Sequence, residues 1–465
     1  MPEPYDLVVI GAGPGGYVGA IRAAQLGLRT AVVERDKVGG TCLHYGCIPT
    51  KALLYVAGVL DELRRGRDLG INTGTPTLDL PAVHARKRRV VDKLHKGTQY
   101  LLRKNQVDVF HGEARFLSSG EVAVSLADGS ETALRGKHFM IATGSAPRSV
   151  PGIAIDNRRI IDSTAALGLE EVPRAIAILG AGPVGVEMAS LFRAFGSEVT
   201  LVELLPTLLP LEDEEIGRQL QRSFERRGIK VHTGSTADRA EYRDDGLVIT
   251  LRKGEETTAI TADYLLVAVG RAPVYQELAL EEAGVVVQRG AVEVDEHLRT
   301  ATPTIFAVGD VLGRPYRLAH VASDEAVYVA ETIAGASPPP IDYQAIPRPT
   351  FSIPQVATMG LSEKQARDAG REVKVGRFPF QANSKATIED ATEGLVKVVA
   401  DARVGEILGI HMVGFGVTEL LAEGVAVRSL EGTVHELGRA VHSHPTLAEA
   451  LKEAALDAMG RAIHI

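Results

Sequence analysis

Only two of the 465 residues are cysteine, Cys42 and Cys47. Two are too few for the disulfide framework of a secreted protein, and in a reducing compartment a close pair is suited to catalysis. No apolar run reaches the roughly 18 residues that a membrane span needs. Positive charge is not in excess: 51 Lys and Arg against 59 Asp and Glu leave a net charge of −8, which argues against nucleic acid as a partner. The basic runs Arg64-Arg65-Gly66-Arg67 and Arg86-Lys87-Arg88-Arg89 are short, and the second reads as the solvated face of a helix. No signal-peptide pattern precedes the first strand, near Tyr5, so a cytoplasmic protein is expected. No metal site is assigned. What remains is an ordinary globular composition, 45% hydrophobic and 24% charged, with ample core and a length that suggests about three domains.

Both cysteines lie in Gly39-Gly-Thr-Cys42-Leu-His-Tyr-Gly-Cys47-Ile-Pro-Thr-Lys51. Gly39, Gly40 and Gly46 allow close backbone approach or positive φ. Pro49 suits a first helical turn, so a helix is expected to start near Cys47. A cysteine there has a thiolate favoured by the helix dipole. Lys51, four residues on, shares its face. Cα atoms five apart in a regular helix are roughly 8–9 Å apart, whereas a disulfide needs roughly 4.4–6.8 Å. A Cys42–Cys47 bridge therefore requires irregular backbone near Tyr45 and Gly46.

A dinucleotide fingerprint precedes this stretch. The strand Tyr5–Ile10 runs into Gly11-Ala-Gly13-Pro-Gly-Gly16, a helix to about Leu26, and a strand from Arg29 that ends at Glu34. Gly11 makes the turn, Gly13 admits the pyrophosphate, Gly16 packs helix on strand, and Glu34 can accept from ribose hydroxyls. The pattern repeats as strand Ala175–Leu179, Gly180-Ala-Gly182-Pro-Val-Gly185, a helix, and strand Ser197–Val202 ending at Glu203, with the same spacing of 23 residues. Two dinucleotide sites plus one thiol pair suggest a nucleotide electron donor or acceptor and a flavin relay. Pro81 to about Asn105 reads as a long amphipathic helix, followed by short strands ending in Ala142-Thr143-Gly144. Ser337-Pro-Pro-Pro340 reads as a linker. Beyond Pro347, strands Leu395–Val399 and Ile407–Val413 and two late helices are expected.

Gly-Gly-Thr-Cys-x-x-x-Gly-Cys-Ile-Pro-Thr-Lys resembles the redox motif of the pyridine nucleotide–disulfide oxidoreductases, and the order of motifs is most similar to the dihydrolipoamide dehydrogenases among them. The resemblance covers nearly the whole chain. It implies an α/β fold of two Rossmann-like dinucleotide-binding domains plus a C-terminal α+β dimerisation domain. The expected bounds are 1–150 for the first part of an FAD-binding domain, 151–274 for an NAD-binding domain, 275–345 for a return to the FAD domain, and 346–465 for the interface. It also implies a redox-active Cys42–Cys47 disulfide. Cys42 would exchange with substrate, and Cys47 would face FAD. Lys51 would pair with Glu187 near the flavin. Thr41, Thr143, Gly144, Gly270, Asp310 and Ala319 would complete the cofactor contacts, with Asp310 on the flavin's ribityl chain. His444, held by Glu449, would be the base, reaching the active site from the other subunit of a homodimer. The implied substrate is dihydrolipoamide on the lipoyl domains of an acyltransferase, the acceptor NAD, and the setting a multienzyme complex.

Five positions depart from the family pattern: His44-Tyr45 for Asn-Val, Val274 for Asn, Ala326 for Gly, and Pro183 for a non-proline. The alternative is another flavin disulfide reductase, of the glutathione-reductase kind. That enzyme uses NADPH, whereas Glu203-Leu204-Leu205 offers a carboxylate and no arginine to a 2′-phosphate. Mercuric and large thioredoxin reductases need C-terminal cysteines, which this chain lacks. A non-catalytic nucleotide-binding subunit would have no use for Cys42, Cys47, His444 and Glu449.

Overall fold

The computed structural model describes residues 3–72, 74–244 and 246–465. By internal packing the chain divides into two compact units. One holds the chain up to Ala52, Pro81–Arg148 and Gly270–Ile341; the other holds Leu53–Leu80, Ser149–Val269 and Asp342–Ile465.

In the first unit, β1 (Tyr5–Ile10) is apolar along its length, and Leu7, Val8 and Val9 are fully buried. Such a run suits a parallel strand covered on both faces. α1 (Pro14–Gln25) crosses over and β2 (Thr30–Glu34) returns parallel to β1. Then come α2 (Gly40–His44), α3 (Cys47–Arg65), which belongs to the second unit from Leu53 on, and α4 (Leu80–Lys104), which belongs to the first from Pro81. β3 (Asp108–Ser118) joins β2 in parallel, and β4 (Glu121–Leu126) and β5 (Glu131–Ile141) continue as an antiparallel meander. The end of β5 comes back parallel to β1 on its other side, and Ile305–Ala307 pairs beyond it. The strand order therefore reverses between β1 and β5, the switch point where open α/β sheets bind ligands. β3 and β5 are longer than the short strands expected, eleven residues each, because each belongs to the parallel sheet at one end and the meander at the other.

The second unit repeats this plan. Strands Ala175–Leu179, Glu198–Glu203, Lys230–Thr233 and Tyr264–Val267 form a parallel sheet, with Ile160–Ile161 at its edge. A three-stranded antiparallel sheet, Thr236–Arg243, Gly246–Lys253 and Glu256–Ala262, accompanies it. A five-stranded antiparallel sheet follows from Arg348 onward, with Ile407–Gly414 buried throughout. After it come three helices, Val417–Ser429, Val434–Arg439 and Glu449–Ala458, where two were expected. Thr433 and Glu436 form a capping box that starts the extra one. No helix or strand spans the triple proline. Among the described residues no helix is long and apolar enough to cross a membrane.

Candidate active site

The first phosphate loop is built tightly. Gly11 has φ +98°, and a Cβ on it would meet the Ala142 carbonyl oxygen at 2.5 Å. A Cβ on Gly16 would stand 1.8 Å from the Gly11 oxygen. Gly13 has open space where its Cβ would be, and it caps α1 with no side chain taking the first-turn amides. Uncapped amides at a helix N-terminus beside an open cradle suit a diphosphate. The Ala12 amide donates to Glu34 Oε2 at 2.6 Å and the Asp36 amide to Oε1 at 2.9 Å. Glu34 thus braces the loop, and an ionised carboxylate keeps lone pairs for ribose hydroxyls.

The redox stretch leans on that loop. Gly39 (φ +104°) donates to the Ala12 carbonyl at 2.8 Å, and a Cβ on Gly40 would meet Gly13 Cα at 2.7 Å. α2 carries Thr41 and Cys42 and stops at Tyr45, and α3 restarts at Cys47. The backbone is irregular at Tyr45 and Gly46, as a close cysteine pair requires. Cys42 and Cys47 lie within hydrogen-bonding reach of each other, close enough for thiol–disulfide chemistry between them. The Cys42 thiol is pushed up by its hydrogen bond with Cys47, then by burial and by the Cys47 charge; the Lys51 cation opposes these. A sulfur pair this close, with a lysine cation beside it, suits stepwise thiol–disulfide exchange.

His44 and Tyr45 are engaged rather than loose. His44 Nε2 and His95 Nδ1, from α2 and α4, each lie 2.9 Å from the Val38 carbonyl, with ring centroids 4.9 Å apart. Burial pulls His44 below the usual imidazole range, against the Val38 hydrogen bond. Tyr45 donates to Asp36 at 2.6 Å. Burial, then Asp36, pushes it up to about 12.

At the switch point, Thr143 donates to the Val274 carbonyl at 2.5 Å, and the Val274 amide donates to Gly144. Only backbone of Val274 is used, so its departure from Asn removes neither bond. Gly270 (φ +108°) accepts from the Arg148 amide. Asp310 accepts from Ser145 Oγ at 2.5 Å, and Ser145 Oγ in turn accepts from Arg271 at 2.7 Å. Ala319 opens the helix Ala319–Ile333, whose Ala326 is fully buried against Gly19.

In the second unit, Gly180, Gly182 and Gly185 form a loop like the first, and the Ala181 amide donates to Glu203 at 2.7 Å. Pro183 occupies the first helical position, as Pro14 does in α1. Glu187 is buried and accepts from the Phe351 amide at 2.9 Å. His444 and Glu449 are together: Nδ1 lies 3.0 and 3.2 Å from the two carboxylate oxygens. The His444–Pro445 peptide is cis, and the Thr446 amide also donates to Glu449. Burial raises Glu449, but Thr446 and His444 outweigh it and hold the carboxyl below its usual range. Nδ1 then carries the hydrogen, leaving Nε2 as the nitrogen turned from Glu449. Sequence reading missed Ser145 and Arg271, whose only signal is proximity to Asp310 in the folded sheet.

Two dinucleotide cradles, a thiol pair abutting the first and an imidazole–carboxylate dyad define a nucleotide-linked dithiol–disulfide oxidoreductase. Residues 5–326 match the pyridine nucleotide-disulphide oxidoreductase family and residues 346–455 its dimerisation domain, so the chain belongs to that family. Its members are FAD-dependent disulfide oxidoreductases, the dihydrolipoyl dehydrogenases among them use FAD and NAD, and the dimerisation domain makes a homodimer the assembly. The chain is 41% identical to a dihydrolipoyl dehydrogenase of Bacillus subtilis over all of both chains. It is 44% identical to one of Chlorobaculum tepidum over 99% of this chain and 98% of the other. The crystal structure of LpdA from Mycobacterium tuberculosis superposes with a TM-score of 0.90 at 26% identity, covering 97% of this chain and 98% of that one. A flavoprotein disulfide reductase, RclA from Escherichia coli, superposes with a TM-score of 0.85 at 28% identity, covering 97% and 99%.

Proposed function

We propose that the chain is a dihydrolipoyl dehydrogenase, oxidising the dithiol of a dihydrolipoyl group and delivering the electrons to NAD+. Full-length similarity to enzymes of that name carries the reading, and the thiol pair set against the first cradle supports it. FAD occupies the first cradle and NAD the second, over the domain bounds expected from sequence. When bound, FAD accepts electrons from the dithiol and NAD+ accepts hydride. Cys42 exchanges with the substrate sulfur and Cys47 faces the flavin. Lys51 supplies positive charge beside the flavin ring, and Asp310 holds the ribityl chain. His444 takes the substrate thiol proton, with Glu449 fixing its tautomer and stabilising its charged form. It serves the cysteines of the other subunit. The partners are lipoyl domains of an acyltransferase in a multienzyme complex, and the setting is the cytoplasm, where a close thiol pair stays available.

Steady-state rates with NAD+ and dihydrolipoamide, beside NADPH and glutathione disulfide, test this. The first couple is expected to be faster by orders of magnitude, and His444→Gln to cut it by roughly a hundredfold while NADH still bleaches the flavin. Faster glutathione disulfide reduction would overturn the assignment. The His44–His95 contact beside the redox loop favours one second reading, a different small disulfide as substrate, which the same comparison detects.

A further inference from the structure

Glu325 lies on the inner face of the helix Ala319–Ile333, and its side chain is 1% exposed. A carboxylate so deep is costly unless paired and hydrogen-bonded. Both oxygens are engaged. Oε2 accepts from the Gly309 amide at 2.6 Å, and Oε1 meets Arg314 Nη1 at 2.9 Å. One side chain therefore ties the start of the turn Gly309–Leu312 to Arg314, two residues past its end. The turn cannot relax elsewhere: Gly309 has φ +74°, and a Cβ there would meet Ala322 Cβ at 2.9 Å. Between the two tied points stands Asp310, whose carboxylate is held on its other side by Ser145.

We propose that Glu325 is a positioning residue of the flavin site, fixing the turn that presents Asp310 and coupling flavin retention to the proton it binds. The proposal rests on the assignment of Asp310 to the flavin. Burial pushes Glu325 up to about 7, with Asp310 and Asp324 adding to it, and Gly309 and Arg314 opposing. Arg314, itself pulled down by burial, is the cation facing it. On the packed helix α1, the charged side chain is Arg22, and it pairs with Glu331 instead. The sign follows. The folded state favours neutral Glu325, so that contribution to stability is present below the ordinary carboxylate range and is lost as pH rises through about 7. The grip on Arg314 runs the opposite way, since only the ionised form makes the full ion pair. The turn is thus tied more tightly above about 7 than below it.

The test is FAD dissociation from the holoenzyme, followed by the fluorescence of released flavin between pH 5.5 and 8.5. Wild type is expected to release FAD more readily at the acid end, by roughly tenfold, the scale of one charge-assisted hydrogen bond. Glu325→Gln, which keeps an acceptor but cannot ionise, is expected to hold FAD weakly and equally at every pH. Arg314→Gln is expected to move the inflection to higher pH. If either variant fails to fold, the wild-type profile still decides, because a flat wild-type curve overturns the proposal. An inflection that persists in Glu325→Gln overturns it as well. A protein that binds no flavin at all would overturn the cofactor assignment itself, which separates that failure from this one.

Discussion

The two phosphate cradles are nearly the same object built twice. Gly11 and Gly180 have φ of +98° and +101°. Gly16 and Gly185 would each place a Cβ 1.8 Å from the oxygen of the glycine five residues earlier. Glu34 and Glu203 accept from the Ala12 and Ala181 amides at 2.6 and 2.7 Å, and from the amide two residues on at 2.9 and 2.8 Å. The terminal acid is therefore part of the loop's own scaffold before any ribose arrives. What differs is the chain after that acid. In the first copy it folds back as α2 and lays Gly40 on Gly13. In the second it also returns to the loop, the Leu209 amide donating to the Ala181 carbonyl at 2.9 Å as the Gly39 amide does to Ala12 at 2.8 Å, but leucines stand where the first copy has glycines and no thiol pair follows. A thiol pair set against the first cradle suits a resident cofactor, and a cradle with no thiol beside it suits a nucleotide that comes and goes.

The largest way to break that comparison is to fill both helix-packing glycines. Gly16→Val is expected to yield colourless protein, because 1.8 Å leaves no room for a methyl group against backbone. Gly185→Val is expected to stay yellow and keep thiol chemistry while losing flavin reduction by NADH. Absorbance at the flavin band and anaerobic NADH titration read the two outcomes. Yellow Gly16→Val protein would reverse the cofactor assignment.

A smaller effect is expected at Gly40. Alanine there adopts φ near +57° with strain and presses on Gly13 Cα. Strain of this kind costs about 1–3 kcal/mol, so Gly40→Ala is expected to raise FAD release by roughly tenfold or more. Flavin fluorescence after dilution measures it. Unchanged release would mean that α2 is not what closes the first cradle.

The cradles, the break at Tyr45 and Gly46, and the His444–Glu449 pair were legible because each is local: glycine spacing, a proline, an acid five residues on. The Asp310 brace was not. Ser145 and Arg271 are 126 residues apart, and Arg271 reaches Ser145, and Ser145 reaches Asp310, only in the folded chain. Glu325 was hidden for a different reason. Beside Asp324 it looks like one more exposed acid on a helix, and only the turn closing over it shows its side chain at 1% exposure. The lengths of β3 and β5 escaped because a period-two pattern does not reveal that one strand serves two sheets.

The smallest effect concerns nucleotide choice at the second cradle. Substituting Glu203 is a poor way to test it, because its carboxylate also takes the Ala181 and Leu205 amides. Removing it leaves those donors unmet, at about 1–3 kcal/mol for each that stays buried. Leu204→Arg keeps the scaffold and adds a guanidinium next to it. Leu204 is exposed, so the new side chain is free to meet a 2′-phosphate, and the pairing is a solvent-exposed one worth roughly 0.2–1 kcal/mol. The KM for NADPH is expected to fall about two- to fivefold, with NADH use little changed. Salt screens exposed charges over about 10 Å at 0.1 M, so the gain should shrink as ionic strength rises. Glu203→Ala is expected to harm NADH use more than it helps NADPH. If Glu203→Ala alone raised NADPH use while leaving NADH use intact, the carboxylate would be a simple charge gate and not a brace, and the likeness of the two cradles would end at their glycines.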